Sequence, residues 1–215
     1  MTNSSKPKRA YNSTRRQAQA RQTRQHIADA ALKLFGQRGY SGATIEAIAQ
    51  EAGVAAETVY GIFGSKRKIL SHLLAISIGG DDAPIPMLER SEAQAIIKES
   101  DPRQQLRMLA RGITAVTERA APVLEILRVA AKTEPDIADL LKQMLNERWQ
   151  NMAMLIQQVA ANGPLREGID TSQATDIVWT MMSPEVYLLL TADRGWTRDQ
   201  YTAWLADTLI RLLLP

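Results

Sequence analysis

The residues best suited to chemistry lie close together. Thr44, Thr58, Tyr60 and Lys66 are hydrogen-bond donors gathered in one short stretch. Such a row suits the oxygens of a phosphodiester backbone. Ala55, Ala56 and Glu57 stand among them, at the start of a short helical segment. A carboxylate there can accept from the amino group of cytosine, and short side chains can meet thymine methyls. Each residue also has a plainer role. Thr44 fits a helix cap, Tyr60 a core-edge aromatic and Lys66 a surface charge. Thr58 can bond back to its own helix, and Glu57 is an acid that the helix dipole favours.

Enzyme chemistry is poorly served. His26 and His72 have no ligand spacing, and the chain has no cysteine. It has no Gly-rich phosphate loop, nucleophile elbow or HExxH motif. No metal site and no cofactor are expected. A helical enzyme with scattered catalytic groups, or an interaction module with an incidental basic arm, stays as the rival class.

The charge distribution favours a polyanion. The net charge is +3, but residues 1–72 hold 12 Lys and Arg against 4 Asp and Glu. The remainder holds 14 against 19. A basic first third joined to an acidic body points to a polyanionic partner for the first third alone. No apolar run approaches a membrane span and no secretory signal opens the chain, so a soluble, cytoplasmic protein is expected.

The elements that must position these residues are helical. Residues 1–20 are basic and show no period, which predicts a disordered arm in which Arg15, Arg16 and nearby Arg21 could touch DNA. From Arg21 onward, Ile27, Ala30, Ala31, Leu34 and Phe35 form one helical face, which Gly39 ends. Thr44 caps a second helix with Ile45, Ile48, Ala49 and Ala52 inward. Gly53 then breaks the chain. A third helix runs from about Ala56 to Phe63, and Ser65 caps a fourth that reaches about Ile78. The order of two short helices around a tight turn is that of a helix-turn-helix, spanning 44–63, whose second helix enters the major groove.

Residues 79–100 read as a linker with a short helix near Met87–Lys98. Asp101-Pro102 opens the next helix, Pro122 a shorter one, and Pro135 a long one that stops at Asn162-Gly163-Pro164. A helix over about 171–192 is expected to kink at Pro184. The last helix begins at Thr197, whose spacing to Gln200 is that of a capping box. Ile113, Leu127, Trp149, Met152, Trp179 and Met182 could line a pocket between these helices. Glu125, Arg128 and Glu185 could give it polarity.

From TRQHIADAALKLFGQRGY through ATIEAIAQEAGV to ETVYGIFGSKRKIL, the chain resembles the TetR family of transcriptional regulators. The pattern covers more than 40 residues: Thr, apolar, Ile-Ala, Ala-Gly-Val, Thr, apolar, Tyr, Phe, then Ser-Lys, in order. Ile62 departs from it, standing where the family often has His or Tyr. The resemblance implies an all-α protein, with a helix-turn-helix DNA-binding domain over 21–81 and a helical effector-binding and dimerisation domain over 82–215. It implies a homodimer that pairs through helices near 171–192 and 197–213. Its partners would be a palindromic double-stranded operator and a small-molecule effector, with repression relieved by that effector. A DNA-binding dimer without an effector is the nearer alternative.

Overall fold

The computed structural model describes residues 11–215, all of whose regular elements are helical. Of the arm expected over residues 1–20, residues 1–10 lie outside the described residues. Two compact units make up the chain, Met1–His72 and Leu73–Pro215. Their division falls inside a helix, ahead of the boundary read at 81/82. No helix of the described residues is long and apolar enough to cross a membrane.

The first unit holds α1 (Tyr11–Gly42), α2 (Ile45–Ala52), α3 (Ala56–Phe63) and the start of α4 (Lys66–Gly79). Residues 11–20 correct the reading of an arm, because they are helical. The stretch RRQAQARQTRQ lacks Gly and Pro and is rich in strong helix formers. Extending a formed helix costs far less than nucleating one, so a polar turn needs no apolar face of its own. The helical backbone of α1 is interrupted at Gly39, with φ 71 and ψ 167. The stripe of Ile27, Ala28, Ala31, Leu34 and Phe35 is buried, together with Ile48 of α2, Val59 and Phe63 of α3, and Ile69 and Leu70 of α4.

Two polar contacts brace this small core. Lys33 of α1 pairs with Glu51 of α2. Lys66 Nζ donates to the Tyr40 carbonyl at 2.7 Å and stands 4.3 Å from the centre of the Tyr40 ring. The start of α4 is thereby tied to the end of α1.

The second unit holds the rest of α4, then α5 (Ser91–Lys98), α6 (Pro102–Ala130), α7 (Pro135–Asn162), α8 (Thr171–Met181), α9 (Pro184–Leu188) and α10 (Arg198–Leu213). A 3-10 turn at Met87–Glu89 precedes α5, and a π turn at Leu189–Asp193 follows α9. Helix α6 packs against α10, α7 and α9, and α7 packs against α8. Their shared core includes Leu106, Met152, Ile156, Val178, Met182, Tyr201, Leu205 and Leu209.

Two prolines behave differently from their reading. Pro122 lies inside α6 and starts no helix. It forfeits one backbone bond, but Ala120, Ala121, Val123, Leu124 and Leu127 are all buried around it. Packing on both sides outweighs the local loss. Pro184 does more than kink the expected 171–192 helix. Ser183 leaves the helical region, caps Val186 N with its hydroxyl at 3.3 Å, and restarts the chain as α9 with Pro184 in the first turn. The capping box of Thr197 and Gln200 forms as spaced, and Asp170 with Gln173 makes another at the head of α8.

Gln105 joins three helices from inside. Fully buried, it donates to the Ile96 carbonyl at 3.0 Å and accepts from Asn162 Nδ2 at 3.0 Å. Substituting Gln105→Leu removes one bond from each partner inside the core, and denaturant unfolding should show a loss of about 1–3 kcal/mol. Lys66→Met keeps the stem and removes the donor. It should cost about 1–2 kcal/mol in the same measurement, and unchanged stability would show that the ammonium does not brace the head.

Candidate nucleic-acid interface

The turn between α2 and α3 is set by one residue. Gly53 takes φ 69 and ψ 33, the left-handed region that side chains rarely adopt. Its N–H donates to Gln50 O at 3.2 Å, and Val54 N donates to Ala49 O at 3.0 Å, closing the end of α2. At the other end of α2, Thr44 Oγ1 accepts from Ala47 N at 3.1 Å. The cap role is therefore real, worth about 1 kcal/mol, and the hydroxyl still holds a proton to donate outward.

Helix α3 has two distinct sides. Val59 and Phe63, four residues apart, are buried, while Glu57, Tyr60, Gly61 and Gly64 are exposed. Tyr60 keeps 49% of its surface. Ala55 is exposed at the helix start, and Ala56 and Thr58 are half-buried beside it. The outward side is therefore thin, with one acid, one phenol and two glycines. Eight residues make a rod about 12 Å long, short enough to lie within one major groove.

Cations collect where α4 begins. Lys66, Arg67 and Lys68 occupy its first turn, with no acid among them. The free N–H groups of a helix N-terminus already carry partial positive charge, so these cations add to that field. An approaching phosphate gains from both. Lys66, read as a phosphate donor or else a surface charge, has its ammonium held by the carbonyl and ring of Tyr40. Arg67 and Lys68 share the turn, and the run KRK in the sequence was their signal. Arg15, Arg16 and Arg21 are exposed on α1.

Sequence reasoning passed over Arg24. Its guanidinium stands 5.2 Å from the centre of the Phe63 ring, with Nε buried. Arg24 precedes Ile27, Ala31 and Leu34 by three, seven and ten residues, so the apolar stripe itself pointed to it. Ile62 is half-buried. His72 packs its ring 5.3 Å from that of Phe63.

In the second unit the six expected pocket residues divide. Leu127, Met152 and Met182 are buried in the core, and Ile113 and Trp179 pack at its edge. Trp149 is turned outward and donates Nε1–H to Asp176 Oδ1 at 2.8 Å. None of the six lines either of two open grooves on this unit. One, of about 360 Å³, lies between α6 and α7, with Leu141 and Leu145 below Arg128, Lys132 and Lys142. The other, of about 210 Å³, lies between α6 and α9 and is lined in part by Glu125, Arg128 and Glu185. The large side chains read as a pocket are spent on helix packing, and the openings fall where helices end.

Residues 27–73 match the family model described as bacterial regulatory proteins, tetR family. The regulator SrpR of Pseudomonas putida is 47% identical over 58 residues, 27% of either chain. The repressor NicS of Pseudomonas putida is 34% identical over 98 residues, covering 44% of this chain and 41% of NicS. The chain thus spans well under half the length of these relatives. Among solved structures, NalD of Pseudomonas aeruginosa, the secondary repressor of a multidrug efflux pump, superposes with a TM-score of 0.70 at 21% identity. That likeness covers 91% of this chain and 98% of NalD. FadR of Bacillus subtilis, solved with stearoyl-CoA, superposes with a TM-score of 0.67 at 19% identity, over 86% and 97%. The helix-turn-helix around Gly53 and the matched segment over 27–73 make the first unit similar to the tetR family of bacterial regulatory proteins, and the described residues share the helical fold of these solved structures.

Proposed function

We propose that this chain is a ligand-responsive, sequence-specific DNA-binding regulator, acting as a repressor that a small molecule releases from its operator. The observation that carries the reading is the two-sided α3, held by Val59 and Phe63 and exposing Glu57 and Tyr60 next to the cations of α4. Thr44, Thr58, Tyr60 and Lys66 hold phosphates in this reading, and Ala55, Ala56 and Glu57 face bases. Arg15, Arg16 and Arg21 lie on a helix that continues the basic character of the first unit. The named roles of NalD as a repressor and of FadR as a ligand-bound regulator agree with it.

The working unit is a homodimer in the cytoplasm. Its contact surface is assigned to residues 171–192 and 197–213, where Leu189 and Leu212 are exposed. Two heads presenting α3 to one face of DNA need half-sites about one turn, roughly 34 Å, apart. An effector acts by binding the DNA-competent and released states unequally. The path for that signal is α4, which begins in the first unit and ends in the second. Arg119 of α6 donates to the carbonyls of Ser77 and Ile78, both at 3.3 Å. Arg90 pairs with Asp81 just beyond, through contacts of 3.0 and 3.2 Å, and this holds the Asp81 carboxyl below the usual carboxylate range. The end of α4 is thus gripped by the helical domain.

Selection of bound DNA from a random pool should return an inverted repeat whose affinity falls steeply with salt. Glu57→Ala should relax preference at one position per half-site by about 1–3 kcal/mol, and an unchanged site would reduce Glu57 to a helix-start acid. Failure to enrich any sequence would sink the regulator reading. Arg119→Ala should leave operator affinity within a few-fold while blunting release by whichever small molecule releases the wild type. Normal release would show that α4 is moved by other contacts.

A further inference from the structure

Two cations from different helices meet the end of α3. The helix closes on Phe63 and Gly64, and each of these residues has one cation beside it. The Arg24 guanidinium of α1 stands 5.2 Å from the centre of the Phe63 ring. The Lys68 ammonium of α4 stands beside Gly64, where a Cβ would lie 3.9 Å from Lys68 Nζ.

Neither cation is spent inside the protein. Arg24 is half-buried, and only Nε of its guanidinium is buried without an acceptor. Nη1 and Nη2 make no hydrogen bond among the described residues and are not buried, so both reach solvent. Neither Arg24 nor Lys68 makes an ion pair among the described residues. From Ala56 to Gly80 the one acid is Glu57, at the opposite end of α3. The dipole of α3 favours a cation at its C-terminal end, but that accounts for charge alone. It does not account for a planar fork held on a buried ring with both outer nitrogens open.

The surroundings leave room for an anion. Gly61 and Gly64 are exposed and present no side chain, and Gly64 takes φ 74. Both cations are also oriented in advance. The Phe63 ring sets the plane of the Arg24 guanidinium. Ser65 Oγ accepts from Lys68 N at 3.3 Å and so fixes the turn that carries Lys68.

We propose that Arg24 and Lys68 clamp one phosphate of double-stranded DNA at the C-terminal end of α3. Arg24 Nη1 and Nη2 donate to the two free oxygens of the diester, a geometry that suits the guanidinium fork, and Lys68 adds its charge from α4. The stack on Phe63 orients the fork before DNA arrives. Because Arg24 rests on Phe63, holding the phosphate also sets how the last turn of α3 lies in its groove. The inference rests on the reading of the first unit as a DNA-binding head and names a contact within it.

The test uses full-length protein with two duplexes, one of mixed sequence and one recovered by selection. Binding is followed by anisotropy across a range of salt, and helix content and denaturant midpoint are measured for every variant. Arg24→Met keeps a stem against Phe63 and removes the fork; Arg24→Gln replaces it where Arg24→Met does not fold. Either should weaken binding to both duplexes about tenfold. Lys68→Met should weaken both by a similar or smaller factor. The double variant should lose less than the product of the two losses, because both cations serve one phosphate. Its salt slope should fall by about 1. Arg24→Lys keeps the charge without the fork, so it should weaken binding and leave the slope in place. An unchanged slope in the double variant would overturn the proposal. So would independent losses with a slope lower by about 2, the mark of two separate contacts. Lower stability with unchanged affinity and slope would reduce Arg24 to a brace for α3. If the wild type binds neither duplex, the regulator reading fails and this inference with it; if the wild type binds and the variants match it, this inference alone fails.

Discussion

An eight-residue helix does not hold together by itself in water. Nucleation fixes several dihedral angles for one hydrogen bond, and isolated helices shorter than about 12 residues are marginal. Helices α2 and α3 are both of this length. They exist because Gly53 lets the chain reverse tightly and because Ile48, Val59 and Phe63 are buried between them and their neighbours. Everything that α3 offers outward depends on that burial. A side chain on a frayed helix pays its ordering entropy on contact, whereas one on a braced helix has paid it in folding. The grip of Lys66 on Tyr40 belongs to the same logic, since it fixes where the cations of α4 stand.

The second unit solves a different problem. Its helices are long enough to persist, so its detail lies in how their ends and polar interiors are satisfied. Gln105 and Asn162 meet each other and two backbone carbonyls. Arg119 covers the last carbonyls of α4, where the helix dipole also favours a cation. The approach is close: a side chain at Gly80 would place its Cβ 3.3 Å from the Arg119 guanidinium, and one at Gly79 would come within 2.5 Å of Arg90. Two successive glycines thus admit two arginines to the end of one helix. Against this pattern of satisfied ends, Arg148 and Trp179 stand out, because Arg148 Nη1 and Trp179 Nε1 face no protein acceptor.

The sequence carried the head almost residue for residue, because short helices need explicit punctuation. Thr44, Gly53, Ser65 and the apolar spacing of Val59 and Phe63 each have one physical meaning at that position. Where punctuation was weak, the reading failed. Residues 11–20 carry no apolar period, yet they extend a helix already nucleated downstream. Pro122 and Pro184 carry the same local signal and end in opposite outcomes, since buried neighbours surround the first and a Ser183 cap was available to the second. The pocket was legible least of all. Met152, Met182 and Trp179 are large and apolar whether they fill a core or line a cavity, and composition does not say which. The charged residues Arg128 and Glu185 were better guides, because a charge near a packed interior needs a reason.

The thinness of the reading surface bears on how specificity arises. Ala55, Glu57, Tyr60 and Gly61 offer few groups that can hydrogen-bond a base edge, and each good bidentate contact gives only about 1–3 kcal/mol of discrimination. A small side chain contributes differently, by letting the helix backbone approach the groove floor. Close approach makes every backbone contact sensitive to groove width, and groove width varies with sequence. In the proposed reading, the cations at the start of α4 and along α1 supply affinity without preference. Under the proposed function, a head built this way reads mostly by fit, and fit is what a change in the spacing of two heads would destroy. In that reading, the sparse outer face of α3 and the hold of Arg119 on the end of α4 belong together. The less each base contact contributes, the more binding would depend on the spacing that the proposed function assigns to α4.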